Sequence, residues 1–275
     1  MSTKKRSGSC VNYLCSNGYL SDIIKLSYYD SNPPIEKIPE TSITVFTTYA
    51  MDRAAECGQL EVVKWLHFNR PEGCTKNAMN LAAKNGYLDI VKFLHENRTE
   101  GCTKKAMNLA AKNGHIDVVK WLHFNRSEGC GKAAMDGAAK HNHLNIIKFL
   151  HENRTEGCTE NAMDIAAENG NLEIVKWLHE NRKEGCTTDA MDLASYKGYI
   201  DIIKFLHENR TEGCTYNAMN WAAESGYLDV IKFLYLNRYE VSINDAISIA
   251  EENGNTNIVV WLRENQKSRP EYFVN

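Results

Sequence analysis

A line of 28 residues recurs through this chain, and a recurrence of that length leaves few folds open. The line GCTKNAMNLAAKNGYLDIVKFLHENRTE begins at Gly73 and returns, with changes, from Gly101, Gly129, Gly157, Gly185 and Gly213. An incomplete copy precedes it from Thr47, and an eroded copy follows from Val241. At that interval one column holds alanine from Ala50 through Ala78 to Ala246, and another holds Trp or Phe from Trp65 through Phe93 to Trp261. A fixed period in this range is the signature of stacked supersecondary units.

Each copy reads as two short helices. In the unit from Gly73, Thr75 is a good N-cap for the first helix. Ala78, Met79, Leu81, Ala82 and Ala83 supply its small apolar body. Gly86 ends it, because glycine takes the left-handed conformation that follows a helix. Asp89 stands near the start of the second helix, where an acid suits the macrodipole. Leu88, Ile90, Val91, Phe93 and Leu94 make that helix apolar on more than one face, as expected between neighbours on both sides. Helices of about ten residues are unstable alone, so each unit needs its neighbours. The expected fold is all-α, an α-solenoid of stacked helix-turn-helix repeats.

The expected organisation is a disordered tail over 1–10, a degenerate repeat and proline-containing connector over 11–46, eight repeats over 47–266, and a C-terminal tail over 267–275. The degenerate copy is VNYLCSNGYLSDIIKL from Val11, and Pro33, Pro34 and Pro39 mark the connector. With 43% hydrophobic residues in 275, the chain can bury a continuous core. No run of 18 apolar residues occurs, so no membrane span is expected. The start MSTKKRSGSC lacks the apolar stretch of a secretory signal. The expected compartment is the cytoplasm, with the nucleus as an alternative suggested by Lys4, Lys5 and Arg6.

Two columns mimic chemistry: His67, His95, His123, His151, His179 and His207, and Cys74, Cys102, Cys130, Cys158, Cys186 and Cys214. A structural zinc site needs four converging ligands, usually with close Cys spacing, and neither CxxC nor HxxxH occurs. An active site is one asymmetric convergence of distinct roles, whereas these residues repeat unit after unit. Both columns therefore read as structural ladders, with no metal and no cofactor. Packed helices lie about 8–10 Å apart, too far for disulfides between ladder cysteines, which should remain thiols. Arg98 and its equivalents, each followed two residues later by a glutamate such as Glu100, read as a solvated charge ladder.

The segment NAMNLAAKNGYLDIVKFLHEN closely resembles the ankyrin repeat in its LAA, its Gly, and its Leu-acid-aliphatic-Val-Lys run, and the resemblance extends from Thr47 to Gln266. It implies a binding scaffold without catalysis. The unit is shorter than the usual 33 residues, and the loss falls in the loop that forms the family's β-hairpin finger. RTEGC stands there, which weakens any finger-based binding. Asn77, Ala78, Met79 and Asn80 replace the family's Thr-Pro-Leu-His, so the hydrogen bonds of that motif do not transfer.

In such an array, unchanging positions build the stack and varying positions are free to contact a partner. Four columns vary on the first helix and its end. The candidate contact residues are Lys76, Lys84, Lys104, Lys105, Lys112, Lys132 and Lys140, then Glu160, Glu168, Asp189, Tyr196, Tyr216 and Glu224. The fourth column runs Asn85, Asn113, His141, Asn169, Lys197, Ser225. Early units present lysines and later ones mostly acids, a bipolar pattern that would set a partner's register and on-rate.

The expected function is a protein–protein interaction scaffold whose partner is another protein, with a monomer as the expected state. The alternative is a repeat-coded reader of single-stranded RNA. The later acids and a net charge of −3 oppose it. No nucleophile motif, phosphate loop or HExxH occurs, so no enzyme is expected. One unit breaks three local rules: Gly131 replaces the capping Thr, Gly137 lies inside the first helix, and Asn142 replaces the terminal Gly. It should be the weakest.

Overall fold

Thr75 opens a helix by accepting a hydrogen bond from the Asn77 N–H at 3.0 Å, and Thr103 and Thr215 do the same for Lys105 and Asn217. Each such helix stops at a left-handed residue, such as Gly86 at φ 80°. At Asn142 the chain adopts φ 62° without glycine, a conformation asparagine tolerates better than other side chains. A second helix follows at once, and its last turn is closed by Asn97 Nδ2 donating to the Phe93 carbonyl at 2.9 Å.

The computed structural model describes residues 48–266 of the chain. The tails, the degenerate repeat and the connector expected before and after this span lie outside the described residues. Those residues fall into two units, 48–131 and 132–266. The first holds α1 (Thr48–Glu56), α2 (Leu60–Asn69), α3 (Lys76–Lys84), α4 (Leu88–Asn97), α5 (Lys104–Lys112) and α6 (Ile116–Asn125). The second holds α7 (Ala133–Lys140), α8 (Leu144–Asn153), α9 (Asn161–Glu168), α10 (Leu172–Asn181), α11 (Asp189–Lys197), α12 (Ile200–Asn209), α13 (Tyr216–Ser225), α14 (Leu228–Asn237), α15 (Ile243–Glu252) and α16 (Thr256–Asn265). There is no strand among the described residues, and no helix there is long and apolar enough to cross a membrane. The short loops keep RTEGC irregular, so no β-hairpin finger forms among them.

Within each unit, successive first helices pack side by side, and each second helix packs against its own first helix. Alanines make this possible: Ala78, Ala82 and Ala83 are fully buried with Met79, and their small volume lets neighbouring first helices approach. Ile90, Val91 and Leu94 complete the layer beneath. Leu81 does not belong to this core. It and its equivalents Leu109, Ile165 and Leu193 are half-buried.

The ladder cysteines are buried thiols. Burial foremost pushes the thiols of Cys74, Cys158, Cys186 and Cys214 up to about 12 and that of Cys102 to about 11. The expectation of thiols does not extend to Cys57, which is disulfide-bonded. It stands outside the ladder column, where the spacing argument does not reach.

Candidate interaction surface

The surface begins with what holds neighbouring repeats in register. Asp52 accepts from the Thr75 N–H at 2.8 Å and from its hydroxyl at 2.5 Å, joining α1 to the start of α3. Asp164 and Thr187, and Asp192 and Thr215, repeat the bond in the second unit. Where the acid is replaced, Asn80 Oδ1 accepts from Thr103 N–H at 3.0 Å and its Nδ2 donates to the Thr103 hydroxyl at 3.1 Å. Asn108 accepts from the Gly131 N–H at 2.8 Å. This column does the work of the missing Thr-Pro-Leu-His motif, and it was not recognised in the sequence. Its only signal there is an unbroken run of short Asp, Asn or Ser side chains at one interval. Burial foremost raises the carboxyls of Asp136, Asp164 and Asp192, against the bonds from threonine.

The Arg–Glu ladder is not solvated, contrary to the sequence reading. In the six pairs from Arg98–Glu100 to Arg238–Glu240 the side chains are only 12–24% exposed. Arg126 binds Glu128 through both Nε (3.1 Å) and Nη2 (2.5 Å), the two-pronged geometry that suits guanidinium to carboxylate. The pair reaches back one repeat. Glu128 accepts from the Cys102 N–H at 3.5 Å, and the guanidinium fills the space above Gly101, where a Cβ would sit 2.5 Å from Arg126 Nη2. Arg126 Nη1 also meets His95 Nδ1 at 3.2 Å. The Arg126 bond foremost holds the Glu128 carboxyl at about 2. In Glu100 and Glu184 burial acts upward but is outweighed by the arginine and backbone donors, leaving both at about 2.

The histidine column stacks. His95 lies edge-on to Trp121 with centroids 5.1 Å apart, and His151 to Trp177 at 5.2 Å. Tyr235 takes the same place against Trp261 at 5.2 Å. Within each unit these rings therefore bridge to the next repeat, as His67 does to Phe93 and His207 to Phe233. No three His, Cys, Asp or Glu groups converge as metal ligands among the described residues.

With the packing columns accounted for, the remaining face of each first helix is a stripe at i, i+4 and i+7, positions that share one side of a helix. In the first unit it carries Asn77, Leu81 and Lys84 on α3, and Lys105, Leu109 and Lys112 on α5. Lys105 and Lys112 are exposed, Lys84 is half-buried, and Lys76 and Lys104 are exposed at the starts of these helices. In the second unit Lys132 and Lys140 are exposed at the two ends of α7. The sign then changes. Glu160 is exposed at the start of α9, Glu168 is half-buried at its end, and Asp189 on α11 and Glu224 on α13 are exposed. Tyr196 is 38% exposed and Tyr216 57%.

The middle of the stripe, occupied by Leu81, Leu109, Ile165, Leu193 and Trp221, was assigned to the helix body in sequence and is instead a half-buried apolar floor between the charged rows. The fourth varying column moves the other way. Asn85 Nδ2 donates to the Glu56 carbonyl at 2.8 Å and Asn113 Nδ2 to the Lys84 carbonyl at 2.8 Å, so these asparagines cap the preceding repeat's first helix. Phe68 and Phe124, each 72% exposed at the ends of α2 and α6, are apolar side chains that the sequence reading did not single out.

A family model described as ankyrin repeats in three copies matches the chain in overlapping stretches, at residues 51–136, 107–192, 135–220 and 163–246. No curated protein matches it.

Proposed function

Because the chain belongs to the ankyrin-repeat family, whose repeats generally serve as protein–protein interaction modules, we propose that it is a monomeric scaffold that binds another protein through the stripes of its first helices and performs no chemistry itself. One observation carries this reading. The half-buried apolar floor and the charged rows beside it differ from repeat to repeat, while the alanine, methionine, Asp/Asn and Arg–Glu columns that build the stack scarcely change. An apolar centre with a charged rim is the anatomy of a binding face. An RNA reader would need basic stripes throughout to neutralise phosphates, and the acids on α9, α11 and α13 oppose it.

The test is parallel affinity purification with the wild-type chain and with Lys104→Glu, Lys105→Glu and Lys112→Glu combined. These residues are exposed and lie outside the packing columns, so the melting curve should not move. A partner retained by the wild type should be lost or should associate at least about tenfold more slowly at low salt, because rim charges act mainly on the on-rate. Identical capture and identical association rates would overturn the reading.

A further inference from the structure

The chain's internal repetition supplies its own reference: eight copies of each position show what the fold requires, and a departure marks what it does not. Three departures gather on α11 and α13. Tyr196 is the one aromatic in a column that otherwise holds Glu56, Lys84, Lys112, Lys140, Glu168, Glu224 and Glu252. Trp221 is the one aromatic in the floor column, where its neighbours are Leu193 and Ile249. It is also the one tryptophan outside the column that stacks against the histidine ladder. Tyr216 is the one aromatic in its column, which otherwise holds Thr48, Lys76, Lys104, Lys132, Glu160, Thr188 and Asn244. The rings of Tyr196 and Trp221 meet edge-on, with centroids 6.1 Å apart, across the contact between α11 and α13.

Carboxylates border this pair. Glu168 on α9 and Glu224 on α13 occupy the position of Tyr196 on the two adjoining first helices, and Asp189 lies on the same stripe of α11. The face of Tyr196 already draws a cation: the Lys197 ammonium stands 4.8 Å from its ring centroid. Aromatic faces attract cations through the ring quadrupole, and nearby carboxylates strengthen the attraction. Of the two cationic side chains, guanidinium is flat, less strongly hydrated, and able to stack on a ring while it pairs with a carboxylate.

We propose that the Tyr196–Trp221 pair, between Glu168 and Glu224, is the docking point for an arginine-bearing segment of the partner protein. The proposal rests on the reading of the chain as a protein-binding scaffold and adds the chemistry of what is bound. The arginine stacks on the aromatic pair in place of Lys197 and pairs with the flanking carboxylates, while the partner's backbone lies over the apolar floor of Ile165 and Leu193.

The probe is a short, fluorescent Gly/Ser peptide with spaced arginines, titrated against the full chain and read by anisotropy and by tryptophan emission. The controls are the same peptide with citrulline, the neutral isostere, and with lysine. Two variants follow the chain's own repeats and so keep the fold: Tyr196→Lys, as at Lys112, and Trp221→Leu, as at Leu193. The arginine peptide should bind, the lysine peptide more weakly and the citrulline peptide not at all. Each variant should weaken arginine binding about tenfold, and Tyr196→Phe should retain it. Absence of arginine binding overturns the proposal. So does binding that both variants leave intact, which would report only a diffuse acidic field. The triple lysine reversal on α5 should leave the peptide unaffected. A partner lost with that reversal but kept by Tyr196→Lys and Trp221→Leu would overturn this proposal and leave the scaffold reading standing.

Discussion

Asp164 shows how much a single position carries in this stack. Its two carboxylate oxygens take the Thr187 N–H at 2.8 Å and the hydroxyl at 2.9 Å, and burial raises its carboxyl against those bonds. Asn80 makes the equivalent contacts without a charge, so Asp164→Asn should change stability by less than about 1 kcal/mol at neutral pH. Asp164→Ala leaves the Thr187 N–H and hydroxyl without their partner at an exposed residue that water can reach, and should cost about 1–2 kcal/mol in urea unfolding. The glutamates of the Arg–Glu clamp behave in the opposite sense. Glu128 lies at about 2 in the folded chain against an ordinary 4.5, so the unfolded state binds the proton more readily. Its stabilisation is complete above pH about 4.5 and is lost as the pH falls toward 2. The urea midpoint should therefore drop across that window. Glu128→Gln should lower the midpoint at neutral pH and flatten the drop.

Among the elements, α7 is the one built from the poorest local signals. Like α9 it spans eight residues and starts without a side-chain cap, where α3 and α5 span nine and are capped by threonine, but it alone is interrupted by a glycine, Gly137. The loss at Gly137 is smaller than a core position would suggest, because the equivalent Leu109 and Ile165 are half-buried rather than packed inside. What sets it apart from α9 is the helix-propensity cost of Gly137, about 1 kcal/mol, with the missing cap adding to the difference from α3. Amides of residues 132–141 should exchange faster under native conditions than those of 76–85 or 160–169, since local stability follows local signals. Gly137→Leu should remove much of the difference and raise stability by about 1–2 kcal/mol. Equal protection of the three first helices in the wild type would refute this account of α7.

At the scale of the whole molecule, stability in a repeat array is a sum of neighbour interfaces, so the last pair matters for what it covers and for what it turns outward. α15 packs on α13, and Trp261 of α16 covers Tyr235, whose hydroxyl bonds the Asn265 carbonyl. The outward side is polar: Glu251 is exposed where other copies bury an alanine such as Ala83, and it pairs with Arg263. Removing residues 241–275 should uncover Met219, Ala222 and Tyr235 and drive association, visible as early-eluting species in size-exclusion chromatography and a lower melting temperature. A truncated chain that stays monodisperse and melts unchanged would show that the pair is not a cap.

The sequence by itself determined the period, the two-helix unit, the threonine caps, the left-handed turns and the alanine–methionine core. Each of these depends on residues within one helical turn or one repeat, where 3.6-residue periodicity and capping chemistry operate locally. Only the tertiary structure decided how the side chains between repeats were used. Asp52 meets Thr75 across 23 residues, Cys102 meets Glu128 across 26, Asn85 meets Glu56 across 29 and His95 meets Arg126 across 31. Those separations distinguish a half-buried clamp from a solvated charge row, and a capping asparagine from a free contact residue. They also leave the Leu81 column half-buried along the outer stripe of the first helices, because the alanine faces take the close contacts between first helices and leave the leucines at the edge.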